Sequence, residues 1–263
     1  MVHDLAFEIF PSCYPDKGKR LRRITRHALS KADQIIAPSY STKRDLIRLY
    51  GVTAERIKVV YLAADTLFKP MTKRDCVRIQ NKYQLPKKYF LFVGAIKKSK
   101  NIGVVLEAFA DYLTKSEKPV AFVLSGKKKD ADESIIQTIK KNHLKKEVIF
   151  LEYVPQKDLP ALFSGAKLFI SPSLYEGFGI PHLEAMSCGC PVIAGNNSSQ
   201  KEVVGDAGIL INPKNPGEIS KAMQRITSDK QLSKIMSKDG IERSQIFNWN
   251  KSAKELLQII ESL

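Results

Sequence analysis

The sequence is short of several things at once. Four cysteines occur among 263 residues, Cys13, Cys76, Cys188 and Cys190, and they do not form a disulfide framework. Cys188-Gly-Cys190 has no second close pair to complete a zinc site, so all four read as free thiols. Histidine is as scarce, and His27, His143 and His182 show no metal-ligand spacing to one another. No apolar run approaches the roughly 18–20 residues that a spanning helix needs. The amino end shows no charged-then-apolar leader, so the expected compartment is the cytoplasm. A phosphate loop ending in Gly-Lys-Ser or Gly-Lys-Thr is missing, and Gly177-Phe-Gly179 lacks the third glycine of a dinucleotide fingerprint. Those two absences argue against ATP hydrolysis and hydride transfer.

Negative charge is the remaining shortage. With 43 Lys plus Arg against 27 Asp plus Glu, the net charge is +16, which implies attraction to phosphates, acidic glycans or an anionic membrane face. The excess sits in lysine clusters (Lys97, Lys98 and Lys100; Lys127 to Lys129; Lys140 and Lys141; Lys145 and Lys146). Aromatics are not interleaved with them, which argues against a single-strand nucleic-acid platform. A further basic run, Lys17 to Arg26, suits an anionic acceptor or peripheral contact with the inner face of a membrane.

What is present is an alternation. From Tyr89 onward, short apolar runs at Tyr89–Val93, Val120–Leu124, Val148–Leu151, Leu168–Ile170, Pro191–Ala194 and Ile209–Ile211 are separated by amphipathic segments. This is the pattern of a Rossmann-like parallel sheet wrapped by helices, an α/β fold. The runs are followed by Gly, Pro, Ser or Asn, so ligand groups would gather at the strand carboxyl ends. Before Tyr89 the pattern predicts a basic helix (Lys17–Ala32), a strand at Gln34–Ala37, a helix from Ser41 to Tyr50 and a strand at Ile57–Tyr61. The expected organisation is a partial α/β domain over residues 1–65, a linker over 66–88 containing Pro70 and Pro86, a main domain over 89–245, and a helix over 246–263 returning toward the first block. Ser199 with Glu202, and Asn215 with Glu218, read as helix caps.

The densest signal runs from Ser171 to Pro191. Pro181 suits the start of a helix and Gly189 its end. Gly177 and Gly179 let backbone approach a ligand closely, and free amides at the helix start favour an anion such as a diphosphate. Glu176 and Glu184 would repel that anion if they pointed at it, so they suit sugar hydroxyls instead, two acceptor oxygens matching a vicinal diol. A carboxylate that merely complements the helix dipole is the competing explanation.

Two glutamates bracketing Gly-Phe-Gly and followed by Gly-Cys-Pro-Val resemble the signature of retaining glycosyltransferases of family four, the group 1 type, which have a GT-B fold. Val93-Gly94 through Lys100-Asn101, Ser125-Gly126-Lys127, Tyr153-Val154-Pro155 and Glu202 through Gly208 follow in the order that family shows. The resemblance implies transfer of a hexose of mannose or glucose type from a UDP- or GDP-sugar to a glycan or lipid-linked acceptor, as in polysaccharide biosynthesis. Under it, Gly94, Lys100 and Lys127 lie at the donor diphosphate, and Tyr153 and Val154 at the base. Glu184 lies at the ribose, and Glu176 with Gly177, Phe178, Gly179 and Ile180 at the sugar and its phosphate. His3 would face the donor sugar from the opposing domain, making Glu176, His3 and Lys100 the catalytic set. Neither cofactor nor metal is implied, because Lys100 neutralises the leaving group.

The resemblance also marks departures. Lys97-Lys98-Ser99 stands where many relatives have Glu-Pro-Arg, giving point charges in place of a forked guanidinium. Family members carry roughly a further hundred residues ahead of His3, a domain-sized piece. A truncated, non-catalytic nucleotide-sugar-binding module is therefore the alternative expectation. Asp130-Ala-Asp132 has the spacing of a metal-binding pair but follows three lysines and opens a helical pattern, so it reads as helix-start acids.

Overall fold

A computed structural model describes residues 1–116, 118–127 and 133–263. Two parallel sheets organise it. The smaller pairs β1 (Ile35–Ala37) with β2 (Ile57–Val59). The larger holds β3 (Tyr89–Val93), β4 (Ala121–Ser125), β5 (Val148–Leu151), β6 (Leu168–Ser171), β7 (Val192–Gly195) and β8 (Ile209–Ile211), in the order β5-β4-β3-β6-β7-β8. Helices α1 (Ala6–Ile9), α2 (Lys19–Lys31) and α3 (Tyr40–Tyr50) belong to the small block. The rest are α4 (Lys73–Lys82), α5 (Ile102–Thr114), α6 (Glu133–Lys141), α7 (Leu159–Gly165), α8 (Ile180–Ser187), α9 (Ser198–Val204), α10 (Pro216–Ser228), α11 (Lys230–Ser244) and α12 (Trp249–Glu261).

The strands of the large sheet are continuous apolar runs because both of its faces are covered. Successive side chains point to opposite faces, so Tyr89 and Leu91 enter one core while Phe90 and Phe92 enter another. Residues of α5, α6 and α10 close the second core, and residues of α4, α7, α8 and α9 close the first. Phe90, Phe109 and Phe122 are fully buried and meet edge to face; each contributes about 1.5–3 kcal/mol by burial.

Strand order decides where a ligand can sit. After β3 the chain moves outward through β4 to β5, and after β6 it moves outward the other way through β7 to β8. Between the neighbouring β3 and β6 the connections leave in opposite directions, which opens a crevice at the strand carboxyl ends. The loops carrying Lys100 and Glu176 both leave the sheet there.

The stretch expected to be a linker is not one throughout. Thr72 caps α4 by accepting from the Asp75 amide at 3.2 Å, and Ile79 is buried. Lys82 and Tyr83 then bind the buried Asp158 carboxylate at 2.5 and 2.7 Å, fastening α4 beside α7. The small block has a modest core of Leu5, Phe7, Leu29, Ile35, Ala37, Leu46, Val52 and Ile57. Two strands bury too little to stand alone, and this block leans on the large domain. Tyr61, Phe178 and Phe247 stack across the seam, and Ser252 of α12 donates to the Tyr61 carbonyl at 2.6 Å. Among the described residues no helix is long and apolar enough to cross a membrane. All four cysteines are free, and burial pushes the Cys188 thiol up to about 12.

Candidate active site

Lys100 ends a single turn of 3-10 helix after β3. The turn is held in place by the Leu174 amide donating to the Ser99 carbonyl at 2.9 Å. The next residue, Asn101, has φ +60 and is buried, its amide donating to the carbonyls of Pro172 and Pro213. An asparagine tolerates that left-handed backbone, and here it bolts the Lys100 turn to the loop after β6.

Across the crevice Glu176 receives Lys100 Nζ at 2.5 Å and the Ser173 hydroxyl at 2.6 Å on the same oxygen, Oε1. Its side chain is 15% exposed and that of Lys100 25%. Its backbone is fixed too, since the Glu176 amide donates to Ser198 Oγ at 3.0 Å. The loop preceding it is pinned by Gln200, whose Oε1 accepts from the Ser173 and Gly195 amides and whose Nε2 donates to the Ser173 carbonyl. A charge-assisted pair in so constrained a loop has its geometry set before any ligand arrives.

Glu184 is the opposite case. It sits one turn into α8, and no donor among the described residues is recorded at its carboxylate. Burial, with the charge of Asp65 adding to it, pushes that carboxyl up to about 7. Glu184 as a whole is half-buried, so it can accept hydrogen bonds from water or from a ligand.

Between the two glutamates the chain turns tightly. Gly179 has φ +107 and caps α8, whose second residue, Pro181, has no N–H and whose third, His182, donates its amide to the Gly179 carbonyl at 3.0 Å. A side chain at Gly177 would collide with the His3 carbonyl, 2.1 Å from where its Cβ would stand. His3 therefore lies against this loop, its own segment tied down by the Val2 amide donating to the Ile36 carbonyl at 2.9 Å. The Phe178 side chain is buried in the aromatic cluster at the seam, so what it can offer a ligand is its backbone. Ile180 begins the helix. His182 is fully enclosed, with Nε2 at 3.0 Å from the Ser171 carbonyl and Nδ1 beside Gly179 without a partner. Burial lowers its pKa, so the ring is neutral.

The other expected residues are more dispersed. Gly94 has φ +146 and its amide donates to the Ser125 carbonyl at 2.9 Å. Lys127 is exposed, after Gly126, whose position packs against the Gly94 carbonyl. Tyr153 is 76% exposed while Val154 is buried in the core, so the base-side loop presents one ring outward and anchors through the next residue. Lys128, Lys129, Asp130 and Asp132 lie outside the described residues. Among the described residues no group of three or more His, Cys, Asp or Glu gathers as a metal site. A hollow of about 740 Å³ lined by Lys88, Lys115, Lys118, Lys167, Lys230 and Lys234 lies at the strand amino ends, away from this chemistry.

One expectation is corrected. Ser199 and Glu202 do not cap their own helix; Asn197 precedes α9, and no side-chain cap forms there. Ser199 Oγ instead reaches the carbonyls of Glu176 and Phe178, both at 2.8 Å. Glu202 accepts from the Tyr40 and Ser41 amides at 2.8 and 3.1 Å, capping α3 of the small block. Asn215, by contrast, caps α10 through the Glu218 amide. Ser39 and Thr42 contact the same loop and were visible in the sequence only as part of a helix start.

With that geometry in hand, known proteins can be compared. Residues 74–243 match the family model described as glycosyl transferases group 1, and residues 1–67 match that of glycosyltransferase family 4. The O-antigen chain mannosyltransferase B of Escherichia coli is 31% identical over 99% of this chain and 69% of its own length. The serotype-specific mannosyltransferase WbdA of Escherichia coli is 29% identical over 85% of this chain, which spans only 28% of it. Among solved structures, HepE of Anabaena in complex with UDP and glucose superposes with a TM-score of 0.85 at 24% identity, over 100% of this chain and 70% of that one. Sucrose-phosphate synthase from Thermosynechococcus elongatus gives 0.78 at 25% identity, over 91% and 60%.

Proposed function

The chain belongs to the group 1 glycosyltransferases, with a GT-B-type fold, and from that premise we propose that it is a retaining hexosyltransferase drawing mannose or glucose from a GDP- or UDP-sugar and passing it to a glycan or lipid-linked acceptor. One observation carries the reading. A lysine–carboxylate pair stands across the crevice between β3 and β6, and a second, half-buried carboxylate follows the glycine turn, one turn into α8. Backbone amides and a cation suit a diphosphate. A carboxylate with two free acceptor oxygens suits the vicinal hydroxyls of a ribose. The names of the two Escherichia coli relatives favour mannose, and the HepE complex favours a UDP-type donor.

In the proposed reaction the bond between the sugar's anomeric carbon and the diphosphate oxygen breaks while the acceptor oxygen attacks from the same face. The acceptor proton passes to the departing phosphate oxygen. Lys100 stabilises the negative charge that builds on that oxygen, a Coulombic task, with Lys127 assisting. Glu176 keeps Lys100 aimed and faces the transferred sugar, and His3 faces it from the small block. No resident cofactor or metal is called for; the nucleotide sugar is a substrate.

The test is transfer from GDP-mannose and UDP-glucose to mannose-terminated oligosaccharides, with product anomers read by NMR. Acceptor-dependent nucleotide release, an α-linked product and a rate unchanged by EDTA are expected. An inverted anomer, or failure of both donors to bind, contradicts the proposal. The basic helix α2, with exposed Arg20, Arg23, Arg26, Leu21 and Ile24, supports a peripheral contact with an anionic membrane face. Retention on vesicles of anionic lipid at low salt and release at high salt is the expected result; no retention at low salt removes that part.

A further inference from the structure

We propose that the small N-terminal block shapes the donor loop through two residues that do not themselves touch the donor: Ser39 and Thr42 are positioning residues that set the plane of the Gly177–Phe178 peptide, and thereby aim the Phe178 amide. The inference rests on the reading of this loop as the diphosphate-binding element.

Three consecutive carbonyls of the loop are each held by a hydroxyl. Those of Glu176 and Phe178 share the single proton of Ser199 Oγ at 2.8 Å each. The carbonyl between them, Gly177, accepts from Ser39 Oγ at 2.7 Å and Thr42 Oγ1 at 3.2 Å. A peptide unit is planar and trans, so a carbonyl and the next residue's N–H point in opposite directions. Fixing three carbonyls therefore fixes the amides of Gly177, Phe178 and Gly179. Ser199 belongs to the large domain and serves the outer two. Among the described residues, the middle one is served only by the small block.

The arrangement is enclosed and mutually dependent. Ser39, Thr42 and Ser199 are all fully buried, where a lost hydroxyl leaves a carbonyl that water cannot readily satisfy. Ser39 Oγ also accepts from the Thr42 amide at 3.0 Å, and a hydroxyl can do both at once. Its helix, α3, is in turn oriented by the large domain, because both oxygens of Glu202 hold its first amides. Tyr175, the residue before Glu176, donates to Asp45 Oδ2 on the same helix at 2.9 Å. Two residues near the site have left-handed backbones, Asn101 and Ser198. Such strain persists only where the surroundings enforce it. The seam between the blocks and the donor loop are thus one hydrogen-bonded unit, and parting the blocks releases the Gly177–Phe178 peptide.

The test compares the wild type with the double variant Ser39→Ala/Thr42→Val, with Ser39→Thr as the variant that keeps the hydroxyl, and with Thr72→Ala, which removes a helix cap remote from the loop. Two quantities are read: the 15N order parameter of the Phe178 amide without nucleotide, and the affinity for GDP-mannose and UDP-glucose by calorimetry. In the wild type and Thr72→Ala the order parameter is expected near 0.85, and in the double variant below about 0.6. The affinity of the double variant falls about tenfold, the size of one misplaced charge-assisted contact, while Ser39→Thr binds as the wild type does. An unchanged order parameter overturns the positioning role, and a looser amide with unchanged affinity overturns its link to the donor. A wild type that binds neither nucleotide sugar overturns the donor reading itself, and this inference with it.

Discussion

Glu176 and Glu184 stand eight positions apart in one motif, yet the structure treats them in opposite ways. Around Glu176 one carboxylate oxygen and the backbone are held: Lys100 and Ser173 on Oε1, Ser198 on the amide and Ser199 on the carbonyl. Around Glu184 there is burial, a like charge at Asp65, and no recorded donor among the described residues. The contrast teaches that the two carboxylates do different work. The first is held by protein groups before any ligand arrives, and under the proposed function the second accepts from the ligand.

That contrast can be broken from either side. The largest effect is expected at the assembled end. Lys100→Ala removes the charge that faces the leaving diphosphate and leaves Glu176 without its cation, so the transfer rate falls about a hundredfold to a thousandfold. Steady-state transfer from GDP-mannose reads it; a fall of less than about threefold would place the chemistry elsewhere. At the open end, Glu184→Gln keeps shape but loses the charge that strengthens hydrogen bonds from ribose hydroxyls. Nucleotide affinity is expected to drop about tenfold to a hundredfold, measured by calorimetry with GDP and UDP.

Acidity sharpens the comparison further. The Glu184 carboxyl titrates near 7 when folded, against 4.5 for an unperturbed glutamate. Between those values the folded chain holds a proton that the unfolded chain has lost, so stability falls as pH rises through the window and the deficit is complete above it. Glu184→Gln removes the deficit, and the variant is expected to melt a few degrees above the wild type at about pH 8 and level with it at about pH 4. Nucleotide binding runs the other way and strengthens several-fold from about pH 6 to about pH 8 as the acceptor ionises. The smallest effect belongs to Tyr153→Ala. With its ring 76% exposed, stability is expected within about 0.5 kcal/mol of the wild type and nucleotide affinity within about threefold, because the loop is anchored by the buried Val154 and not by this ring.

The large sheet was legible in the sequence because apolar runs of strand length carry their own signal. The expected strands from Tyr89 to Ile211 all form, β4 and β7 one residue later than expected and β6 one residue longer. The order of motifs also pointed to Lys100 and Glu176, which the structure brings into contact. Other features were illegible for a common reason: their partners lie far away in the chain. Ser199 and Glu202 have the spacing of a local cap, and only tertiary contact reveals that they hold the Glu176 loop and α3. Ser39 and Thr42 look like an ordinary helix start, 138 and 135 residues from the carbonyl they secure. Helix α4 was hidden between Pro70 and Pro86, its cap at Thr72 and Asp75 outweighed by the prolines on either side. The raised pKa of Glu184 depends on enclosure by residues that no local pattern specifies.

The most direct measurement is a crystal structure of the chain with GDP-mannose bound. The account predicts ribose hydroxyls on both oxygens of Glu184, and the diphosphate between Lys100 and the amides of Gly177 to Gly179. A nucleotide lodged away from this crevice, or a Glu184 carboxylate turned from the ribose, would contradict it.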